Sequence, residues 1–444
     1  MGRAWARERS DRDLLLVGGL LCAGLVLRLL WLLNRGIGHA GGEAENVALA
    51  FARGEGVADV FARGSGATAH LNPVMPSFAG AVYARLGPQS TPSEIVLATV
   101  ALGCSLGAML VFFRAARIAG VGRWAGLAAI AAVSLLPLNF NDEAVTYRVW
   151  EGALATLVGA CCLLMTVQAD RGRSLAQRAP VLLFFTAALL FWINPALGIA
   201  AYLNLLVLFV RAELRPFAFL SRGAVAFGML VLVLAPWTVR NAVVIGEPIL
   251  LRSNAGLELA LANHPAAAAA GSQHLVFLNR LREMHPLESQ VAFDRMRRSG
   301  GEVAYARKLG REAQGWIEAH PFDFFRLCLR HVTQFYFPPQ WQWSIYGFPA
   351  KGVAVRQAFS WALGLLGLIG AGFALIRLRG RMTYLAIVAL APSLPYMIVQ
   401  PVPRYRYIVL LPLLFLATET VGRMLGRLSQ RPRDQQWAEA AKSA

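Results

Sequence analysis

Apolar residues are gathered into runs long enough to cross a bilayer, where a spanning helix needs about 20 of them. The runs are Leu14 to Leu33, Ile95 to Phe113, Trp124 to Phe140, Trp150 to Val167, Val181 to Ile193, Ala196 to Val210, Phe219 to Pro236, Phe359 to Ile376, Tyr384 to Val399 and Tyr407 to Val421. They predict an all-α polytopic membrane protein with about ten transmembrane helices. Val181 to Ile193 is the short one, and it breaks at Asn194-Pro195.

The polar connections orient these spans. Arg3, Arg7, Arg9 and Arg12 precede the first run, and Arg114, Arg117 and Arg123 follow the second. Arg171, Arg173 and Arg178 follow the fourth, Arg211, Arg215 and Arg222 the sixth, and Arg377, Arg379 and Arg381 the eighth. Arg423, Arg427, Arg431 and Arg433 close the chain. Every second connection is therefore basic, which puts those connections and both termini in the cytoplasm and agrees with an even number of spans. The connections 34–94, 141–149, 194–195, 237–358 and 400–406 fall on the outer face. The organisation read from this is an N-terminal transmembrane region 1–236 containing the outer loop 34–94, a large outer loop 237–358, C-terminal transmembrane helices 359–425 and a cytoplasmic tail 426–444.

Within the outer loops, Glu43 to Arg53 and Val74 to Leu86 predict short interfacial helices, the second with Pro73 and Pro76 near its start. Glu302 to Ala319 predicts a helix, and Phe322 to Tyr336 an aromatic-rich one lying along the membrane surface. Ala266 to Ala270 reads as a flexible joint. Leu14 to Leu33 is too long for the apolar part of a typical signal peptide and has no clean small-x-small site after it.

Composition agrees. Of 444 residues, 57% are hydrophobic and 15% charged, against about 25% charged in soluble domains. An ordinary soluble enzyme, a disordered chain and a collagen-like repeat are excluded. The net charge of +18 comes from clusters between apolar runs rather than one patch, so it is a topology signal and not a nucleic-acid footprint. Four of the five cysteines lie inside apolar runs, and no metal-ligand spacing or disulfide framework is present.

Candidate chemistry lies on the outer face. Glu43 and Glu45 follow the first span, where partial burial would raise a carboxylate's pKa and make it a better base toward a hydroxyl. Asp142 and Glu143 form a second acidic pair, suited to a cation or to the turn itself. Glu151, at the start of a span, is expected to face a polar cavity or pair with Arg148. Arg240, Arg404 and Arg406 run against the positive-inside trend and, flanked by aromatics, suit a lipid phosphate, the alternative being snorkelling at span ends. All seven histidines fall in outer connections, none with zinc-protease spacing, and His70 is either a surface group or a substrate contact. No nucleotide-binding loop is present.

The order of these elements resembles the GT-C class of integral membrane glycosyltransferases, and more closely bacterial members of the dolichyl-phosphate-mannose protein mannosyltransferase superfamily, which includes the lipid A aminoarabinose transferases. Four stretches carry the likeness. The first is Gly42-Glu43 through Ala52-Arg53-Gly54-Glu55-Gly56-Val57 and Thr68-Ala69-His70-Leu71-Asn72-Pro73-Val74-Met75-Pro76. The second is Asn194-Pro195-Ala196-Leu197. The third, and most specific, is Pro236-Trp237-Thr238-Val239-Arg240-Asn241 with Leu251-Arg252-Ser253-Asn254-Ala255-Gly256-Leu257-Glu258 and Asn263-His264-Pro265. The fourth is Arg404-Tyr405-Arg406-Tyr407 with Pro412.

The resemblance implies sugar transfer from a polyprenyl-phosphate donor to a hydroxyl of a glycan, lipid or protein acceptor, with inversion, at the outer face of the bacterial cytoplasmic membrane. The family's catalytic carboxylate, usually Asp, matches Glu43, with Glu45 as the neighbouring alternative. Arg240, Arg404 or Arg406 would neutralise the departing phosphate, and His70, Asn254 and Glu151 complete the expected substrate contacts. The scheme needs no cofactor and demands no metal. The competing readings are a lipid or glycan transporter, which would place polar residues deep in several spans, and a catalytically inactive scaffold of the same fold.

Overall fold

The computed structural model describes residues 2–136, 146–172, 179–212, 215–269, 271–345, 350–376 and 380–440. Among the described residues the chain is helical, with one isolated β-bridge, Ala58 to Ala67. Among the described residues six helices are long and apolar enough to cross a membrane, over Arg12–Asn34, Thr91–Ala119, Gly152–Arg171, Pro216–Val244, Gly352–Ile376 and Pro403–Gly426. Four shorter apolar helices occupy Arg123–Leu135, Pro180–Ile193, Pro195–Arg211 and Met382–Met397. Together these lie on the ten predicted runs, but the run from Tyr384 to Val399 is α-helical only over Met382–Leu390. Beyond it the chain breaks into 3-10 turns at Ala391–Ser393, Pro395–Met397 and Pro403–Arg406. The reason is local, since Pro392, Pro395, Pro401 and Pro403 supply no N–H to a helix ladder. Irregular backbone within an apolar helix bundle is tolerable where it is buried in protein or lines a cavity.

Helix ends follow side-chain chemistry. Ser90 accepts from the Ser93 N–H to start α-helix Thr91–Ala119, which ends where Gly120 turns left-handed. Asn194 accepts from the Leu197 N–H at 3.2 Å, with Pro195 in the first turn, so Asn194-Pro195 closes one helix and opens the next. Arg28, the one charge of the first apolar run, is buried and donates to the carbonyls of Gly24, Val133 and Ser134, satisfying the end of Arg123–Leu135. Gly364, Gly367 and Gly370 form a small-residue ridge. A Cβ on Gly364 would meet the Tyr336 carbonyl at 2.6 Å, and one on Gly370 the Leu416 carbonyl at 2.7 Å. At the end of helix Gly152–Gly172 away from its start, Asp170 binds Arg381 at 2.8 Å and accepts from Tyr384 at 3.0 Å.

The two long connections read from the sequence as outer, 34–94 and 237–358, pack on each other and are called the first and second outer connections for that reading. Helices Gly42–Ala52 and Val74–Leu86 form the first, and Ala255–Ala262, Gln273–Met284, Gln290–Arg298, Glu302–Ala319 and Pro321–Tyr336 the second. Glu302 joins them, accepting from Thr68 Oγ1, the Ala69 N–H and Ser253 Oγ. One expectation changes here. Pro265–Ala268 is a helical turn rather than a flexible joint. Helix Pro321–Tyr336 leaves Phe322, Phe325 and Leu329 exposed, and its last turn is buried at Phe335 and Tyr336. Tyr336 donates to the Ala389 carbonyl and its own carbonyl abuts Gly364.

Helix Ala255–Ala262 approaches Glu302–Ala319 as closely as glycine allows. A Cβ on Gly256 would stand 2.0 Å from the Ala306 carbonyl oxygen, a backbone atom with nowhere to yield. Gly256→Ala is therefore expected to push the two helices apart at a cost of about 1–3 kcal/mol or more. The check is a lower apparent melting temperature of the purified protein; an unchanged one would contradict this packing.

Candidate active site

A cavity of about 350 Å³ opens where the irregular segment after Leu390, the Asn194-Pro195 break and the start of helix Gly152–Gly172 meet the second outer connection. Its apolar wall includes Pro195, Ala196, Ile398, Val399 and Ile408. Its polar wall carries Glu151, Arg252, Asn254, Glu258 and Arg404. Arg252 binds Glu151 at 3.1 Å, and its Nε is buried without a hydrogen-bond partner. The Arg404 guanidinium lies 3.6 Å from the centroid of the Trp150 ring, close enough for a strong cation–π contact. Tyr396 and Tyr405 stack at 4.7 Å beside it. Asn254 donates to Glu258 at 3.4 Å. The cavity thus joins an apolar wall to two guanidinium groups and two carboxylates.

A second cluster adjoins it where the two long connections meet. Glu43 Oε1 lies 3.0 Å from His70 Nε2 and 3.3 Å from His285 Nε2. Glu43 comes from the first turn of Gly42–Ala52, His70 from the segment that Glu302 holds, and His285 from the residue after Gln273–Met284. The Phe61 ring packs edge-on to both imidazoles, with centroids at 4.8 and 5.8 Å. Burial alone would raise the Glu43 carboxyl pKa, but the charge on His70 and the contacts with both rings outweigh it. They hold the carboxyl well below its ordinary range, so Glu43 is ionised, the reverse of the raised carboxyl expected from burial and a weaker base for it. Burial likewise opposes the charged form of His70; the Glu43 carboxylate outweighs it and raises the imidazole. Glu258, on the cavity wall, adds to the field at His70 and links the two clusters electrostatically.

Glu45 faces a different set of partners from Glu43. It accepts from the Gly41 N–H at 3.0 Å and from the Tyr83 hydroxyl at 3.3 Å. Tyr83 also donates to Glu94, which is paired with Arg148 at 2.5 Å, both fully buried. Burial and the Glu94 carboxylate push the Tyr83 phenol up, which keeps its proton available for these bonds.

The remaining candidates divide. Glu151, Asn254 and Arg404 line the cavity, with Glu151 paired to Arg252 rather than to Arg148. His70 and Glu43 are outside its lining, in the adjoining cluster. Arg240 is an anchor. Its guanidinium donates to the carbonyls of Thr68 and Val57 and lies 5.0 Å from the Trp237 ring centroid, tying the first outer connection to a long helix. Arg406 is buried outside the cavity lining, with a bond of 3.4 Å to the Tyr336 carbonyl. Asp142 and Glu143 lie outside the described residues. Sequence reasoning missed His285, Arg252, Glu258, Trp150 and Tyr396 as site residues. Arg252 and Glu258 were visible inside the most specific motif, but nothing in the local pattern marks His285.

No family model and no curated protein matches the chain in sequence. Among solved structures it is similar to the archaeal oligosaccharyltransferase AglB from Archaeoglobus fulgidus in complex with an inhibitory peptide and a dolichol-phosphate. The TM-score is 0.53 and the identity 15%, over 97% of this chain and 52% of that one. The apo form of the Archaeoglobus fulgidus oligosaccharyltransferase gives 0.53 and 14%, over 96% and 52%. The form tethered to an acceptor peptide containing the NVT sequon gives 0.51 and 14%, over 94% and 50%. The chain spans about half the length of these proteins. At such identity the likeness is one of fold, and it agrees with the GT-C architecture implied by the order of the sequence motifs.

Proposed function

We propose that the chain is a membrane glycosyltransferase that moves a sugar from a polyprenyl-phosphate donor to a hydroxyl acceptor at the outer face of a bacterial cytoplasmic membrane, with both termini inside. The observation that carries this reading is the cavity, in which Arg252 and Arg404 stand over an apolar wall. Guanidinium groups suit a phosphate, and the apolar wall suits the first units of a lipid tail. The fold supports it too, since one solved structure of this fold was obtained in complex with a dolichol-phosphate.

In this mechanism the acceptor oxygen attacks the anomeric carbon from the face opposite the phosphate. The bond from the anomeric carbon to the phosphate oxygen breaks, and its electron pair leaves on the phosphate. Arg252 and Arg404 stabilise that charge, and the acceptor proton passes to a carboxylate. Glu43, in the cluster beside the cavity, is assigned as that base as the first-loop acid; its lowered pKa keeps it ionised and makes it a weak one. A second reading has a specific observation in its favour: Glu258 lines the cavity itself, with a long contact to Asn254.

The test offers purified membranes a panel of labelled polyprenyl-phosphate sugars, with crude membrane extract as acceptor. Label should leave the lipid in wild type. Arg404→Ala should lower transfer by about 10²–10³-fold, as when a charge-stabilising donor is removed. Arg404→Lys should recover only part, because lysine offers neither the fork nor the flat face that stacks on Trp150. No transfer from any donor, with extract present, would sink the reading.

A further inference from the structure

Asn263 and His264 stand inside the most specific of the sequence motifs and take no part in the mechanism above. Asn263 donates to the Ile398 carbonyl at 2.8 Å and so ties the end of helix Ala255–Ala262 to the irregular segment after Leu390. His264 is 7% exposed, and its ring makes no hydrogen bond among the described residues. It lines a second, smaller pocket of about 20 Å³ together with Arg330, Gln273 and Gln400. The charge of this pocket is uncompensated. In the larger cavity two guanidinium groups face Glu151 and Glu258, whereas here Arg330 is the one charged residue of the lining. Arg330 donates to the Ala267 carbonyl at 2.7 Å and has no acidic partner among the described residues. Its Nε is buried without a hydrogen bond. The Gln334 amide donates to Gln273 Oε1, which leaves the Gln273 amide nitrogen available as a donor. Burial and the charges of Arg280 and Arg330, with Glu283 opposing, push the His264 imidazole down to about 4, so the ring is neutral. The positive field that disfavours a charged imidazole at this place favours an anion.

We infer that this pocket binds an oxyanion, the carboxylate or phosphate group of the acceptor, held by Arg330, Gln273 and His264 beside the larger cavity. The identification with an acceptor rests on the glycosyltransferase reading, and the anion site does not. Guanidinium, amide and imidazole N–H groups all donate, and the guanidinium adds the charge that strengthens such bonds. Size decides between an anionic group and a sugar. A single water needs about 10–15 Å³, so about 20 Å³ admits an oxygen atom of the anion and not a pyranose ring. The two pockets share their partition. Ala262 here and Glu258 there lie on one helix, and Gln400 here directly follows Val399 there. Glu258 and Ala262 are about one turn apart, roughly 6 Å along the axis. An acceptor anchored by its anion therefore meets the donor through a hydroxyl a few bonds away.

The first test does not read sugar transfer. The full chain is purified in detergent and melted at constant ionic strength in chloride, acetate or inorganic phosphate. The wild-type melting temperature should rise saturably in acetate or phosphate relative to chloride, and Arg330→Gln should abolish the rise. Because that variant can fail to fold, Gln273→Glu is the second. Residue 273 is exposed at the rim, and a carboxylate there supplies the pocket with its own anion. Gln273→Glu should melt above wild type and ignore added acetate and phosphate. No rise in wild type, or the same rise in both variants, would overturn the site. So would chloride acting as well as the oxyanions, which means an adventitious ion only. In the transfer assay Arg330→Gln should raise the acceptor extract needed for half-maximal rate by about 10–100-fold, with the saturating rate and the donor dependence unchanged. Acceptor activity lost on phosphatase treatment of the extract identifies a phosphate, and activity lost on carbodiimide capping a carboxylate. Activity that survives both treatments would overturn the identification with an acceptor. Oxyanion binding without transfer from any donor would leave the anion site standing and remove the glycosyltransferase reading.

Discussion

Glu43→Gln is expected to lower transfer by about 10²–10⁴-fold, the range for losing a general base. The substitution keeps the shape of the side chain and removes the charge that can accept the acceptor's proton. Glu45→Gln is the control. Glu45 bonds to Gly41 and Tyr83 instead of to the two histidines, so its change should appear in stability more than in turnover. Glu258→Gln decides the remaining choice. If it abolishes transfer while Glu43→Gln retains at least a tenth of wild-type turnover, the base is the carboxylate on the cavity wall. Each variant is compared at saturating donor, so that weaker donor binding is not read as slower chemistry.

Arg148→Met should be the most damaging substitution for stability. Arg148 and Glu94 are each 1% exposed and lie 2.5 Å apart. Removing the cation leaves a buried carboxylate with the Tyr83 hydroxyl as its remaining partner among those described, and losing one side of a buried pair costs about 3–5 kcal/mol. The same arginine donates to the Gly38 carbonyl, so the loss also loosens the approach to Gly42–Ala52, which carries Glu43. The double variant Arg148→Met with Glu94→Leu should melt above the single one, because an apolar pair removes the stranded charge. A single variant that melts like wild type, or a double variant no better than the single, would show that the pair does not brace this region.

The chain by itself determined the class of molecule. Apolar runs and basic connections are local sums over adjacent residues, so the all-helical membrane-type architecture could be read from them, and the segments 302–319 and 74–86 coincide with helices at both ends. The Asn194-Pro195 break was also legible, because a capping amide and a missing N–H act within a few residues. The single residues of the site were harder. Arg240 and Arg404 look alike as outer-face arginines beside aromatics, yet one is spent on the carbonyls of Val57 and Thr68 and the other lines the cavity over Trp150. Glu43 and Glu45 stand two apart on one short helix and therefore point toward different neighbours, which spacing alone does not identify. His285 carries no local signal, since its meeting with Glu43 and His70 depends on how the second outer connection folds over the first. The break after Leu390 shows both sides of the division. The apolar run reads as one span to Val399, although its prolines deny a helix the N–H groups it needs, and only packing against the Asn194-Pro195 break and helix Gly152–Gly172 turns that irregular segment into the wall of a cavity.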